Sequence, residues 1–308
     1  MKRPIGVALA SAAICISSPS HATELTEQEL SVPGFADFLA IDGDTVWTTN
    51  DGRVEQWSTE GKIAAVEVPK PCGAMAMAFG SLWVANCKGG EVYRIDPRAA
   101  SVVTTIPIGL GPSGELNVVA GGGYIWAPSE TTGTIAKIDP ATNAVVATIS
   151  VTPSTSYLAF GFDALWAVSG KGQSLQRIDP ETDTVTDTLT LGQMPGFLAA
   201  GEGAVWVQEQ GDGTVARIDP TSVAVTGRVK VGDNLKWGDI DTGGGKIWLR
   251  TTDDQTFAVI DPQSLKILAR AGKPVGSGAL RYSPSGIWTT AHDVQTLSWW
   301  SGSPKSED

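Results

Sequence analysis

Apolar and polar positions along the chain repeat in a unit of about 40 residues. A turn signal of the type Gly-x-apolar-Trp opens a short apolar run in each unit, and its tryptophans are spaced 36 to 43 residues apart. These seven tryptophans are Trp47, Trp83, Trp126, Trp166, Trp206, Trp248 and Trp288. Self-similarity at a period of about 20 to 50 residues is typical of solenoids and propellers, so the repeat indicates the fold better than the length does.

A second motif, Ile-Asp-Pro, places an aspartate 13 residues after five of these tryptophans. The aspartates are Asp96, Asp139, Asp179, Asp219 and Asp261. Asp-Pro favours a type I turn, because the carboxylate accepts a hydrogen bond at the first position and proline presets φ at the second. Since the same residues recur at the same place in successive units, we interpret these aspartates as turn residues and the repeated tryptophans as packing residues, not as catalytic or cofactor-binding groups.

Each unit contains four apolar or alternating segments separated by turn signals, which predicts four strands. In the fifth unit they cover residues 196–200, 204–207, 214–218 and 223–231. Glycine (36 residues) and proline (18) are frequent and no long run of helix formers occurs, which disfavours helical and α/β folds. We therefore predict an all-β fold, a seven-bladed β-propeller of four-stranded blades.

The two ends of the repeat region predict how the ring closes. After Trp288 the chain has room for one more strand, near residues 296–300, before a polar tail. Residues 29–32 match the fourth-strand pattern and precede the first complete unit. We therefore predict that this N-terminal strand completes the last blade.

The first 22 residues have the features of a secretory signal peptide. Lys2 and Arg3 precede an apolar stretch at residues 5–16, and a small-x-small site ends at Ala22. A membrane anchor is the alternative, but the stretch is shorter than the roughly 20 residues that a span needs. We expect a signal peptide at 1–22, a single propeller domain at 23–308, no membrane span in the mature protein, and a periplasmic or secreted location.

Two cysteines, Cys72 and Cys87, lie beyond this leader. An even count in an oxidising compartment favours a disulfide. A hairpin turn near residues 80–81 would set residues 74 and 87 opposite each other and bring Cys72 close. Free thiols, or a metal site built on two cysteines, are the alternatives.

The charge balance restricts the partners. The chain has 22 Lys and Arg against 33 Asp and Glu, a net charge of −11, which becomes −13 (20 − 33) without the leader. An acidic surface repels phosphate backbones, so we expect no nucleic-acid partner. We expect a monomer.

The repeat, with its Gly-x-apolar-Trp and Ile-Asp-Pro motifs, resembles the YVTN-type propeller repeats of exported bacterial proteins, within the virginiamycin B lyase-like superfamily. The resemblance covers nearly all of residues 28–302. It implies the propeller fold, but such repeats serve lyases, lactonases, quinoprotein subunits and proteins with no known reaction. A lyase of this superfamily would imply histidines, a glutamate and a divalent cation on one face, whereas His292 is the single histidine after residue 22. We therefore do not carry the lyase activity over.

Side chains that differ between units mark the candidate site. Two kinds of connection in a propeller blade converge around one end of the central channel: those that enter the innermost strand and those that join strands two and three. We call this end the channel mouth. Aligning the units on tryptophan places there the candidate ligand-binding residues Glu115, Asn117, Tyr157, Trp237, Asp239, Arg250 and His292, together with Phe197, Glu130 and Glu209. Variation against a repeated scaffold is typical of a binding site, and also of unconstrained loops.

Asp241 and Arg281 stand where other units have alanine or valine. Because they lie on successive units, six and seven, we predict that they pair across the seam between those blades. An arginine that binds an anion is the alternative.

The functional prediction is a non-catalytic binding module that uses the channel mouth for a small polar or cationic ligand or for a protein partner's loop. No catalytic residue, metal ligand or cofactor is predicted. The alternative is a lyase or lactonase assisted by a divalent cation such as Ca²⁺ or Mg²⁺, for which Glu115, Asn117 and Asp239 are the plausible oxygen ligands. A subunit of an exported oxidoreductase assembly is a third possibility.

Overall fold

The computed structural model describes residues 25–110, 115–129, 133–235, 238–250, 256–273 and 275–302, which hold 28 β-strands and one short 3₁₀ turn at Gln210–Asp212. The strands form seven four-stranded antiparallel sheets. Each innermost strand contacts the innermost strands of both neighbouring sheets, so the sheets are the blades of a closed ring. The predicted seven-bladed propeller is confirmed, while the predicted leader at 1–22 lies outside the described residues.

The first four blades are continuous in sequence, innermost strand first. Blade 1 consists of β2 (Leu39–Asp42), β3 (Thr45–Asn50), β4 (Arg53–Ser58) and β5 (Gly61–Glu67). Blade 2 consists of β6 (Ala76–Ala78), β7 (Ser81–Asn86), β8 (Glu91–Asp96) and β9 (Ser101–Pro107). Blade 3 consists of β10 (Val119–Gly121), β11 (Tyr124–Ser129), β12 (Thr134–Asp139) and β13 (Ala144–Ser150). Blade 4 consists of β14 (Thr155–Gly161), β15 (Ala164–Ser169), β16 (Ser174–Asp179) and β17 (Thr184–Thr190).

Blades 5 and 6 are continuous in the same way, whereas blade 7 takes its outer strand from the N-terminal part of the chain. Blade 5 consists of β18 (Pro195–Gly201), β19 (Ala204–Glu209), β20 (Thr214–Asp219) and β21 (Ala224–Lys230). Blade 6 consists of β22 (Asp239–Gly243), β23 (Lys246–Arg250), β24 (Phe257–Ile260) and β25 (Ile267–Ala271). Blade 7 consists of β26 (Leu280–Ser283), β27 (Gly286–Ala291), β28 (Thr296–Ser301) and, as its outer strand, β1 (Thr26–Ser31). Among the described residues no helix is long and apolar enough to cross a membrane.

The N-terminal strand closes the ring as predicted. Leu30 lies opposite Leu297 in the β1–β28 pair. Glu27 accepts a 2.7 Å hydrogen bond from the Ser298 hydroxyl and forms a 2.8 Å ion pair with Lys273 of blade 6. The strand that follows Trp288 is therefore covered rather than left as an open edge, which would favour aggregation.

The repeated tryptophans close the hairpin between strands one and two of each blade. The seven side chains are at most 5% exposed. In blades 2 to 6 the indole Nε1 donates a 3.0 Å hydrogen bond to the carbonyl five residues earlier. The rings thus fill the space between sheets while their one polar atom is satisfied, which confirms their packing role.

A cation two residues before the aspartate, present in four of the five Asp-Pro units, ties several blades to the next one. In blades 2 to 4 this side chain donates to the carbonyl of the proline in the following blade's turn. The three contacts are Arg94 Nη1 to Pro140 at 2.6 Å, Lys137 Nζ to Pro180 at 2.7 Å and Arg177 Nη1 to Pro220 at 3.3 Å. The Asp-Pro aspartates accept backbone N–H groups within their own turns, and these donors lower the carboxyl pKa values. Both repeated motifs are therefore structural.

Cys72 and Cys87 form a disulfide, with 5.9 Å between their Cα atoms. The hairpin between them turns one residue earlier than predicted, at Phe79 and Gly80, which both have positive φ. Ala76 consequently lies opposite Trp83, and pairing resumes with Pro71 opposite Asn86. The shift places the two cysteines diagonally across neighbouring chain segments.

We predict that deletion of residues 23–33 destabilises the fold by about 3 kcal/mol or more, because the fully buried Val32 and the partly buried Leu30 each contribute roughly 1.5 kcal/mol or more. Denaturant unfolding and light scattering check this, with deletion of residues 303–308 as the control. Equal stability of the two truncated proteins, without aggregation of the first, would contradict closure by β1.

Candidate functional site

A pocket of about 380 Å³ lies at the channel mouth, here called the mouth pocket. Its lining residues are Phe35, Asp37, Phe38, Glu115, Phe197, Gly238, Asp239, Ser277, Gly278, Ala279, His292 and Asp293. Four of the seven predicted candidates can be placed against it directly: Glu115, Asp239 and His292 line it, and Tyr157 packs behind its floor. Trp237 and Glu130 lie outside the described residues.

Aromatic side chains form the floor of the mouth pocket. Phe38 of blade 1 and Phe197 of blade 5 meet across the centre of the ring, with 6.1 Å between ring centroids, and Tyr157 of blade 4 packs against Phe197 at 4.3 Å. Phe38 and Phe197 are both almost fully buried. Phe38 and Phe197 thus give the mouth pocket an apolar surface on which a ligand would rest.

Two glycines let the chain that enters blades 6 and 7 lie close to the second strand of the same blade. A Cβ at Gly238 would lie 2.4 Å from the carbonyl oxygen of Arg250, and one at Gly278 would lie 2.4 Å from that of Thr290. Neither position can carry a side chain without a backbone shift, and both glycines line the mouth pocket.

Four carboxylates line the pocket, and two of them are held by structural donors. Asp239 forms a 2.5 Å ion pair with Arg281 and accepts the backbone N–H of Leu280 at 3.0 Å. Asp293 accepts the backbone N–H of Ser277 at 2.6 Å. These two acids therefore fix the walls of the pocket.

The other two carboxylates, Asp37 and Glu115, form no salt bridge with any described residue. Burial, and then the negative charges of Glu115 and Asp239, raise the pKa of Asp37 to about 8, although the positive charge of Arg250 opposes the shift. Burial also raises the pKa of Glu115, against a 3.5 Å hydrogen bond from the Tyr157 hydroxyl. Asp37 is therefore mostly protonated at neutral pH.

Arg250 lies behind the wall of the pocket instead of projecting from it. The side chain is fully buried, and its guanidinium donates to the carbonyls of Ala279 and Gly276, both at 3.4 Å. Its positive charge still acts on the mouth. It opposes the rise in the pKa of Asp37 and adds to the lowering of the pKa of His292 by burial.

His292 stacks on Phe35 at the rim, with ring centroids 4.0 Å apart and an interplanar angle of 20°. Burial lowers the imidazole pKa, the Arg250 charge adds to the effect, and Asp293 opposes it. The ring is consequently neutral at pH 7. Phe35 is 47% exposed, so the pair presents an aromatic edge to solvent.

Asn117 does not line the mouth pocket. It is 4% exposed, and its Nδ2 donates to the carbonyl of Leu158 at 3.4 Å. Its Oδ1 has no hydrogen-bond partner among the described residues. The considered cation ligands Glu115, Asn117 and Asp239 therefore do not converge on one point, and no group of three His, Cys, Asp or Glu in the described ranges could hold a metal ion.

The predicted pairing of Asp241 with Arg281 is wrong. Arg281 reaches toward the mouth and pairs with Asp239, whereas Asp241 accepts the backbone N–H groups of Thr242 and Tyr282, both at 2.9 Å. Asp239 and Asp241 are two residues apart on one strand and so face the same side, where both charges raise the pKa of Arg281. An ion pair does join blades 6 and 7, but its carboxylate is that of Asp239, which lines the mouth pocket, and not that of Asp241.

Glu209 is committed to structure and lies away from the lining of the mouth pocket. Its carboxylate accepts two hydrogen bonds from Arg228, at 2.7 and 2.9 Å, and one each from the Thr214 hydroxyl and the Gly192 backbone, both at 2.7 Å. The Arg228 donors lead a set of hydrogen bonds that lower the Glu209 pKa against the effect of burial. A carboxylate with four donors is poorly suited to bind a ligand.

Several residues that line the mouth pocket were not identified from the sequence, among them Phe35, Asp37, Phe38 and Asp293. A signal was present for Phe38, which precedes its repeated Trp by nine residues, as Phe197, Tyr157 and Asp239 do. Asp37 precedes Phe38, at a position where blades 2, 5, 6 and 7 have glycine. No repeated pattern distinguishes it.

The fold defines the class of protein as a seven-bladed β-propeller, and lyases are among the solved structures that share this fold. The chain superposes with TM-score 0.76 on virginiamycin B lyase from Staphylococcus aureus, at 17% identity over 90% of this chain and 99% of that one. A streptogramin B lyase structure gives 0.78 and 17%, covering 92% and 100%. Hydrazine synthase from Kuenenia stuttgartiensis gives 0.72 and 14%, covering 87% and 95%. At these identities the likeness establishes the fold alone.

The chain belongs to the family described as a repeat of unknown function, DUF6923, whose model matches residues 36–163 and 113–212. The two matches together span more than half of the chain. No curated protein sequence matches it.

We predict that Asp37→Asn stabilises the protein at alkaline pH. The raised pKa of Asp37 means that the folded state binds a proton that the unfolded chain loses above about pH 4. The gain over wild type should be absent near pH 4, increase up to about pH 8 and then level off. A plateau of about 2 kcal/mol is expected. It is smaller than about 1.4 kcal/mol per pKa unit would give for the full shift, because Asp37 is only partly buried and solvent screens its charge.

Denaturant unfolding of both proteins from pH 4 to pH 9 measures this gain. Asp44→Asn removes one exposed carboxylate from the turn between β2 and β3, at the opposite face, and controls for net charge. A gain from Asp37→Asn that does not vary with pH would contradict the assigned shift.

Proposed function

We propose that this protein is an exported propeller, periplasmic or secreted, that binds a small polar or cationic ligand, or the loop of a protein partner, in the mouth pocket without catalysing a reaction. The observation that carries the proposal is the mouth pocket itself. It has an apolar aromatic floor, charged walls and a volume of about 380 Å³, which falls in the range of about 300 to 1,000 Å³ typical of small-molecule sites.

The location of the varied residues supports a binding role. The repeated Trp and Asp-Pro residues are accounted for by packing and turns, whereas the pocket is lined by side chains that differ from blade to blade. Variation confined to one end of a rigid scaffold is typical of sites built on repeat folds.

The chemistry of the mouth favours binding over metal-assisted lyase or lactonase activity. One structural relative is a catalytically inactive virginiamycin B lyase in which alanine replaces a histidine, with bound quinupristin. In this chain the mouth histidine, His292, is neutral and stacked on Phe35, and Glu209 is saturated with donors. These residues do not supply the histidine and glutamate chemistry of a lyase.

A pair of matched phenylalanine variants tests the binding site. Phe35 at the rim is 47% exposed and Phe162 at the opposite face is 43% exposed, so either can be replaced by alanine with little loss of packing. We expect fragments detected by saturation-transfer NMR to bind at least tenfold more weakly to Phe35→Ala and unchanged to Phe162→Ala.

Three results would contradict the proposal: no saturable binding by any member of a library of polar and cationic fragments, loss of binding in Phe162→Ala alone, or turnover of a bound fragment. Asp239→Ala is not a clean probe, because it leaves the guanidinium of Arg281 without its carboxylate. Breaking a buried pair in this way costs about 3 to 5 kcal/mol.

Export is tested separately. Expressed from its full gene in a Gram-negative host, the protein should be recovered from the periplasm or medium with a mass that begins at Thr23. Recovery of the full-length chain from the cytoplasm would contradict the proposed signal peptide.

A further inference from the structure

We propose that the ligand of the mouth pocket is an organic ammonium ion, with its charged group between Asp37 and Glu115 and its apolar body on Phe38 and Phe197. This inference rests on the proposed function and specifies the chemical class of the ligand. Three observations support it. Four carboxyl groups are among the described lining residues, only two of them are held by protein donors, and two phenylalanine rings line the same pocket.

The titratable residues that line the pocket are four carboxylates and one histidine. Asp239 and Asp293 are already bound to Arg281 and to a backbone N–H group. Asp37 and Glu115 have no salt-bridge partner among the described residues. These two carboxyl groups, on blades 1 and 3, are therefore the ones available to a ligand.

The same contacts disfavour an anionic ligand. No lysine or arginine is among the described lining residues, and two arginines near the pocket are engaged: Arg281 by Asp239, and Arg250 by two backbone carbonyls. A carboxylate or phosphate would meet the carboxyl groups of Asp37 and Glu115 without a described lining cation to balance its charge.

The floor suits the apolar part of an amine. Phe38 and Phe197 line the same pocket as the two carboxyl groups, and a cation within about 6 Å of an aromatic ring centroid gains attraction from the ring face. A second cavity of about 210 Å³ shares Phe35, Asp37 and Phe38 with the mouth pocket and extends to Pro69–Pro71. A substituent on the amine can continue into it.

Proton release is a consequence that neither a neutral nor an anionic ligand would produce. The titratable and charged groups around Asp37 are Glu115, Asp239, Asp293, Arg250 and His292. Burial and the negative charges of Glu115 and Asp239 raise the pKa of Asp37 to about 8 against the positive charge of Arg250, so this carboxyl group is mostly protonated at pH 7. An ammonium group beside it favours the carboxylate and expels that proton.

Three probes with one apolar body test the charge preference: phenethylammonium, phenethyl alcohol and phenylacetate. We expect isothermal titration at pH 7 to give an affinity for phenethylammonium at least tenfold above that for the other two. Titrations in two buffers of different ionisation enthalpy should show release of close to one proton per ligand at pH 7 and almost none at pH 9, where the amine is still mostly protonated and Asp37 is mostly ionised.

The variants assign the effect to the two carboxyl groups. Asp37→Asn and Glu115→Gln should each weaken phenethylammonium at least tenfold, Asp37→Asn should abolish most of the proton release, and Asp44→Asn should change neither. Because Asp37→Asn is expected to stabilise the fold, loss of binding in that variant cannot be attributed to unfolding.

The proposal is overturned if phenylacetate or the alcohol binds as tightly as the amine, if binding takes up protons, or if none of the three probes binds. The proposed function survives each of these results provided that other fragments bind at the mouth and are lost in Phe35→Ala. The two proposals therefore fail separately.

Discussion

The structure depends on one repeated contact, the tryptophan that packs between sheets while its indole N–H closes the hairpin between strands one and two. In blades 2 to 6 this hydrogen bond has the same length, 3.0 Å, and joins residues five apart. It sets the register of the innermost strand relative to the core. The residue nine positions before each tryptophan is consequently held beside the channel axis, whatever its side chain.

This register explains why a packed scaffold can carry an unrepeated site. At the nine-residue position the seven blades have Phe38, Ala74, Asn117, Tyr157, Phe197, Asp239 and Ala279. The aromatic members meet across the ring to form the floor of the mouth pocket, and the acidic member contributes to its wall. A substitution at this position changes the mouth and leaves the tryptophan contacts between blades in place, but it also removes packing or ion-pair contacts where the residue is buried, as Phe197 and Asp239 are.

The repeat was sufficient to predict the blade count, the packing tryptophans and the closure by β1, because each is a property of the period and not of a single side chain. The site was predicted only in part. Glu115, Asp239 and His292 were found by alignment, but the direction of a long side chain is not encoded in spacing, so Arg281 was assigned to Asp241 when it reaches Asp239. Arg250 was placed at the correct end of its strand. Its burial was not predicted, because it depends on contacts with Gly276 and Ala279, which lead into blade 7.

Asp37 shows most clearly why the remainder could not be read from the sequence. Its position in the unit suggests nothing, since neighbouring blades have glycine, serine or leucine there. Its chemistry comes from residues distant in the chain: Glu115 and Asp239 raise its pKa and Arg250 opposes them. The electrostatic character of this mouth therefore arises only when blades 1, 3 and 6 are brought together. Because a likeness at 17% identity shows the fold alone, the function of this chain has to be argued from its own mouth residues.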